Sequence, residues 1–222
     1  MNRKRTRKRA GRPAVTPARR APVQNRSRET VRAVIQAAAE VLLAEGYERT
    51  TTNRIAERAG ISIGSLYHYF PNKESVIEAM TDHAISETTG YFVLHGAPLL
   101  SRTSLEETVH GLVETAVAAI EHNRVYARAI LTGVPMIEQA AVARQIETRI
   151  LVAVSQLGWR EIDARQPESR RRARFFLLLS MAAVAVIRIA LNRPADVSRE
   201  ELVSELAGMV YAQLKDGSHT VE

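Results

Sequence analysis

The chain of 222 residues contains no cysteine, which excludes both a disulfide framework and any thiolate metal site. No HExxH pattern or other paired-histidine spacing occurs, so no metal centre is expected. A Gly-rich phosphate loop after a strand, a nucleophile elbow and an acid–base dyad are also missing. No catalytic residue and no cofactor is therefore expected, and the chain does not read as an enzyme. Two-residue apolar alternation bounded by turn signals is absent as well, which argues against a sheet. Residues 1–28 contain no acid at all.

That last absence changes the meaning of the net charge of +7. Of the 31 lysines and arginines, 11 lie in residues 1–28, leaving 20 against all 24 acids, a net charge of −4 for the rest. The high isoelectric point belongs to the N-terminal arm, and the body is mildly acidic. The arm carries Pro13, Pro17 and Pro22 and lacks periodic apolar residues, so residues 1–26 read as disordered. No apolar stretch follows its charges as a secretory signal would require, and a cytoplasmic protein is expected. The run from Phe175 to Leu191 is 17 residues long, contains Arg188 and follows Arg170, Arg171, Arg172 and Arg174. A membrane span wants about 20 apolar residues, so a buried helix and no membrane partner are expected.

What is present is helical periodicity. Val31, Val34, Ile35, Ala38, Val41 and Leu42 recur at the spacing of one buried stripe, predicting a helix over 30–45 with Ser27 as its N-cap and Gly46 beyond its end. A short helix follows Thr51, with Ile55, Ala56 and Ala59 as its apolar face and Gly60 as its stop. Ser62 caps another short helix, on which Leu66 and Phe70 share the inner side. Pro71 breaks it, and Asn72 caps a long helix from Lys73 to about His95. Further helices are predicted over 104–122, 123–131, 135–157, 168–191 and 198–214, separated by Gly and Pro. Two short helices about a glycine turn form a helix-turn-helix.

The aromatic content is only 5%, yet Tyr67, His68, Tyr69 and Phe70 stand in a row within the second short helix. A helix-turn-helix places this helix in the major groove of DNA. Gly64 leaves the backbone bare for close approach. Ser62 and Ser65 offer short hydroxyls, while Tyr67 and His68 offer a hydroxyl and a ring to phosphates or base edges. Thr51, Thr52, Arg54 and Lys73 flank them as phosphate contacts. Glu57 and Arg58 read as a solvated face.

These residues, from Ile35, Ala38 and Gly46-Tyr47 through Thr51-Thr52, Ile55-Ala56, Ala59-Gly60-Ile61-Ser62, Gly64, Leu66-Tyr67 and Tyr69-Phe70 to Lys73-Glu74, resemble the N-terminal domain of the TetR family of bacterial transcription regulators. The resemblance covers about residues 28–76. It implies an all-α protein in which a three-helix DNA-binding domain, residues 27–73, is joined by a hinge helix to an effector-binding and dimerisation domain, residues 74–216, with a disordered tail over 217–222. It also implies a homodimer that binds a near-palindromic operator in double-stranded DNA, as a repressor released by a small-molecule effector. Tyr69 falls at the family position that touches phosphate. The class alternative is a nucleoid-associated, architectural DNA-binding protein without an effector.

In the C-terminal part, Phe175, Leu178, Leu179, Ala182, Val186 and Ile189 form a stripe, and Leu202, Leu206, Met209 and Val210 supply a second. Together they are expected to form a symmetric four-helix dimer interface. For the effector, His110 and Glu114 share a helix face by their four-residue spacing. With Tyr126 they are the candidate pocket residues.

Overall fold

The computed structural model describes residues 21–101, 104–133 and 167–216. Within them lie eight α-helices and no strand: α1 (Ala21–Glu45), α2 (Thr52–Ala59), α3 (Ile63–Tyr69), α4 (Lys73–Gly96), α5 (Leu105–His122), α6 (Arg124–Gly133), α7 (Glu168–Asn192) and α8 (Arg199–Asp216). A 3-10 turn over Ala97–Ser101 joins α4 towards α5. The helix predicted over 135–157, most of the basic arm and the 217–222 tail lie outside the described residues.

The breaks between helices follow the predicted punctuation. Gly46 adopts φ 76°, and its N–H closes α1 on the Leu42 carbonyl at 2.9 Å. Gly60 adopts φ 68°, donating to the Glu57 carbonyl while Ile61 donates to that of Ala56, both at 3.1 Å. Those two bonds form a Schellman end, which needs a left-handed residue. At α4, Asn72 accepts from the Ser75 N–H at 2.8 Å while the Ser75 hydroxyl accepts from the Asn72 N–H, a reciprocal cap.

The start of α1 differs from expectation. The helix begins at Ala21, so Ser27 lies inside it and caps nothing, and residues 21–26 are helical. Pro22 is compatible with this because a first helical turn has no use for its own N–H groups. The helix also buries Ala37 and Ala39 beyond the predicted stripe, since α2, α4 and α6 all pack along it.

Two apolar cores result. The first joins α1, the helix-turn-helix and the N-terminal half of α4, with Val34, Ile35, Leu42, Ile55, Leu66, Val76 and Met80 essentially closed to solvent; Ala129 and Ile130 of α6 complete it. Gly133 ends α6 against α1, where a Cβ would lie 2.5 Å from Leu42 Cγ. The second core packs α5 against α7 and α8 through Val109, Val113, Val117, Val186, Ile189, Leu191 and Val203. Helix α6 touches both, because Ala127 packs on the second core and Arg128 donates to the Leu191 carbonyl at 3.2 Å. The expected division at residue 73 is therefore not a division of the packing.

Helix α7 also departs from expectation. Val186, Ile189, Ala190 and Leu191 are buried, but Phe176, Leu177, Met181 and Val184 are 54–71% exposed. The helix has the length and apolarity of a membrane span, with 22% of its most apolar window buried.

Candidate nucleic-acid interface

Both short helices of the unit open on a side-chain cap. Thr51 Oγ1 accepts from the Arg54 N–H at 3.4 Å and opens α2; Ser62 Oγ accepts from the Ser65 N–H at 3.1 Å and opens α3. Each such cap stabilises a helix by about 0.5–2 kcal/mol, which matters for elements this short. Leu66, fully buried, and Phe70, 7% exposed, then fix α3 to the first core. Their burial leaves the opposite side of α3 facing solvent.

That outer side carries Ser62, Gly64, Ser65, Tyr67 and His68, all exposed. Ser62 and Ser65 share a hydroxyl–hydroxyl bond of 2.8 Å. At Gly64 an added Cβ would meet only Ser62 Oγ, at 4.0 Å, and its φ is not positive, so nothing within the chain demands glycine there.

The two tyrosines are pinned from opposite sides. The Tyr67 hydroxyl, on a ring 52% exposed, lies 3.1 Å from Thr52 Oγ1 of α2. The Tyr69 hydroxyl accepts from Ser27 Oγ of α1 at 3.1 Å, and its half-buried ring meets His68 edge-on at 5.0 Å. As an acceptor from Ser27, Tyr69 keeps its own proton to donate outward.

The flanking cations are less free than the sequence suggests. Arg54 forms an ion pair with Glu45, and Arg58 pairs with Glu40 at 3.4 Å. Lys73 donates from Nζ to the Tyr47 carbonyl at 3.2 Å and lies 3.9 Å from the Tyr47 ring centroid. Its ammonium thus fastens the start of α4 to the α1–α2 loop through a hydrogen bond and a cation–π contact. Glu45, Tyr47 and Ser27 were not legible as partners, because they lie 9 to 42 residues from the groups they hold.

The predicted pocket residues separate. His110 and Glu114 line an open cavity of about 730 Å³ with Tyr91, His95 and Leu99, between the end of α4 and α5. Glu114 also faces Arg199 of α8 at 3.7 Å. Tyr126 is not part of it. The fold of α6 turns its ring onto His83 of α4, edge-on at 5.2 Å, beside the first core. Burial, then Glu87 and Glu40, push its phenol pKa up.

The expected dimer residues also divide. Val186 and Ile189 are interior to the second core, and Leu202 packs onto it, because α5 and α8 cover that side of α7. Leu206 and Val210 also pack on that core, and with Phe175, Leu178, Ala182 and Met209 they line an open groove between α7 and α8, where Leu177 and Met181 join them. Leu179 is half-buried and does not line the groove. The exposed residues Phe176, Leu177, Met181 and Val184 escaped a single-stripe reading because α7 is apolar on more than one face.

Residues 34–80 match the family described as bacterial regulatory proteins, tetR family. Nucleoid occlusion factor SlmA of Haemophilus influenzae is 27% identical over 131 residues, covering 59% of this chain and 57% of that protein. The A-factor receptor protein of Streptomyces griseus is 38% identical over 78 residues, covering 35% and 28%. The chain thus spans about half the length, or less, of the curated relatives it matches. Among solved structures, the fatty acid degradation regulator FadR of Bacillus halodurans superposes with a TM-score of 0.63 at 17% identity, covering 82% of this chain and 94% of that one. That likeness extends the fold beyond the matched segment. Residues 34–80 thus carry the N-terminal domain of the TetR family of bacterial regulatory proteins.

Proposed function

We propose that this protein is a sequence-specific DNA-binding transcriptional regulator, acting as a cytoplasmic homodimer on a near-palindromic operator and released by a small-molecule effector. One observation carries the DNA-reading part. A capped α2–Gly60–α3 unit buries Leu66 and Phe70 and turns Ser62, Gly64, Ser65, Tyr67 and His68 outward. In that arrangement α3 enters a major groove with short hydroxyls and rings towards base edges. Thr51, Thr52 and Tyr69 border it as phosphate contacts, while Arg54 and Lys73 reach phosphate only in competition with Glu45 and Tyr47.

The dimer rests on the apolar groove and exposed face of α7 and α8. An exposed apolar area of this kind on a globular regulator is covered by a second copy in a two-fold arrangement, which also presents two α3 helices to successive grooves. Effector response is supported by the cavity beside His110 and Glu114, whose volume lies in the range of small-molecule sites. A relative that is itself a receptor by name points the same way.

The relatives named as nucleoid occlusion factors favour a second reading, a nucleoid-associated protein without an effector. Selection of binding sites from random duplexes with the purified full chain separates the two. A regulator enriches a two-fold sequence bound about 10³–10⁷ times more tightly than bulk DNA. Near-equal affinity for all duplexes would leave the architectural reading in place.

A further inference from the structure

Helix α3 carries no lysine or arginine. The cations around it are largely held inside the domain. Arg54 and Arg58 pair with Glu45 and Glu40, Arg49 donates to the Glu45 carbonyl at 3.1 Å, and Lys73 is held by Tyr47. Phosphate neutralisation supplies a large share of the affinity of a protein for DNA, and cations without such partners are better placed to provide it.

The first turns of α1 hold Arg26, Arg28 and Arg32, all exposed. Among the described residues these three enter no ion pair. Glu29 is the one acid of this stretch and points to solvent. Ser27, between the first two arginines, donates to the Tyr69 hydroxyl at 3.1 Å and so ties this end of α1 to the last residue of α3. The stretch precedes the segment that matches the family, residues 34–80. Nine further lysines and arginines precede it in residues 1–20.

We infer that Arg26, Arg28 and Arg32 form a second DNA-binding element, which holds the phosphates flanking the half-site that α3 reads. The inference rests on the DNA-reading role given to α3 above. A guanidinium matches a phosphate in bidentate geometry, and among the described residues no ion pair holds these three, although Glu29 lies three residues from Arg26 and Arg32. The labour is divided accordingly. The outer face of α3 selects sequence, and the start of α1 supplies affinity and its salt dependence.

The test measures Kd against salt concentration for the full chain on two duplexes, one carrying a selected operator and one of random sequence. Changing Arg26→Gln, Arg28→Gln and Arg32→Gln together is expected to lower the log–log slope by about 0.9 for every phosphate that is no longer neutralised. Affinity at about 0.15 M salt falls by about tenfold or more on both duplexes, keeping their ratio. The lysine versions retain the slope. Arg124→Gln, which removes a guanidinium from α6 instead, leaves it unaltered. A glutamine triple variant with the wild-type slope overturns the inference. Absence of any enriched sequence defeats the operator reading instead, and the slope on the random duplex still decides the role of the arginines.

Discussion

The core built from α1–α4 and α6 closes within one chain, whereas the layer of α5, α7 and α8 does not. In the first, Leu42, Ile55, Leu66 and Met80 are fully buried, and the exposed side of α3 is mainly hydroxylic and aromatic, with Ile63 37% exposed at its start. In the second, Met181 and Met209 are 71% and 63% exposed beside an apolar groove. The difference separates two jobs. On the function proposed above, a surface that meets a polar, charged duplex keeps most of its apolar atoms inside and presents donors, and a surface that stays apolar after folding meets a second copy. Helix α6 links the regions, with Ala129 and Ile130 in the first core and Ala127 against the second.

The largest expected effect breaks the closed core. Leu66→Ala removes the fully buried anchor of a seven-residue helix, and should destabilise the domain by about 2–5 kcal/mol. Urea unfolding reads this directly, and DNA binding should fall with it. A loss under about 1 kcal/mol would mean that α3 is held by something other than its inner face.

The open layer is broken next. Leu177→Glu with Met181→Glu places charge on positions already exposed in one chain, so folding should survive. Sedimentation equilibrium should then give a monomer, and operator affinity should drop by at least about 1.4 kcal/mol, a tenfold loss. A dimer that persists unaltered removes the groove from the interface.

The link between the regions is tested by Gly133→Ala. The new Cβ meets Leu42 Cγ at 2.5 Å, so α6 and α1 are forced apart at a cost of about 1–3 kcal/mol. Thermal unfolding measures the cost. The change in operator affinity shows whether α6 position reaches α3.

Two smaller effects come from protons. The folded state holds the Tyr126 proton above the ordinary value of 10.0, chiefly through burial. Above that pH the folded chain binds more protons than the unfolded one, so stability declines as pH rises from about 10 through the raised pKa. Tyr126→Phe should flatten that alkaline limb. In the second region, Ser198 N–H donates to Glu201 at 3.0 Å and Ser198 Oγ accepts from the Glu201 N–H, capping α8 and lowering the Glu201 pKa below 4.5. This support is complete above 4.5 and disappears as pH falls through the lowered value. Glu201→Gln should remove that acid dependence, visible as a small change in the melting temperature profile as pH falls below 4.5.

Legibility differed between the regions for a physical reason. Caps, glycine stops and i, i+4 pairs act within about a turn of chain, so Thr51, Gly60, Ser62, Leu66, Phe70 and Asn72 could be placed from sequence. The outward face of α3 followed from its inner one. The start of α1 was misplaced because Ser27 resembles a cap by type, although its hydroxyl is used by Tyr69, 42 residues away. Composition offers Tyr126 as a pocket residue, but the packing of α6 turns it onto His83 beside the first core.

Local chemistry in the sequence thus determined the helix-turn-helix, its caps and glycine stop, and which side of α3 is wet. Tertiary structure decided which cations stay free, since pairing depends on acids distant in the chain. It also decided which stripe of an all-round apolar helix is interior. Periodicity reports that α7 has an apolar face, but only the positions of α5 and α8 determine which face is already covered.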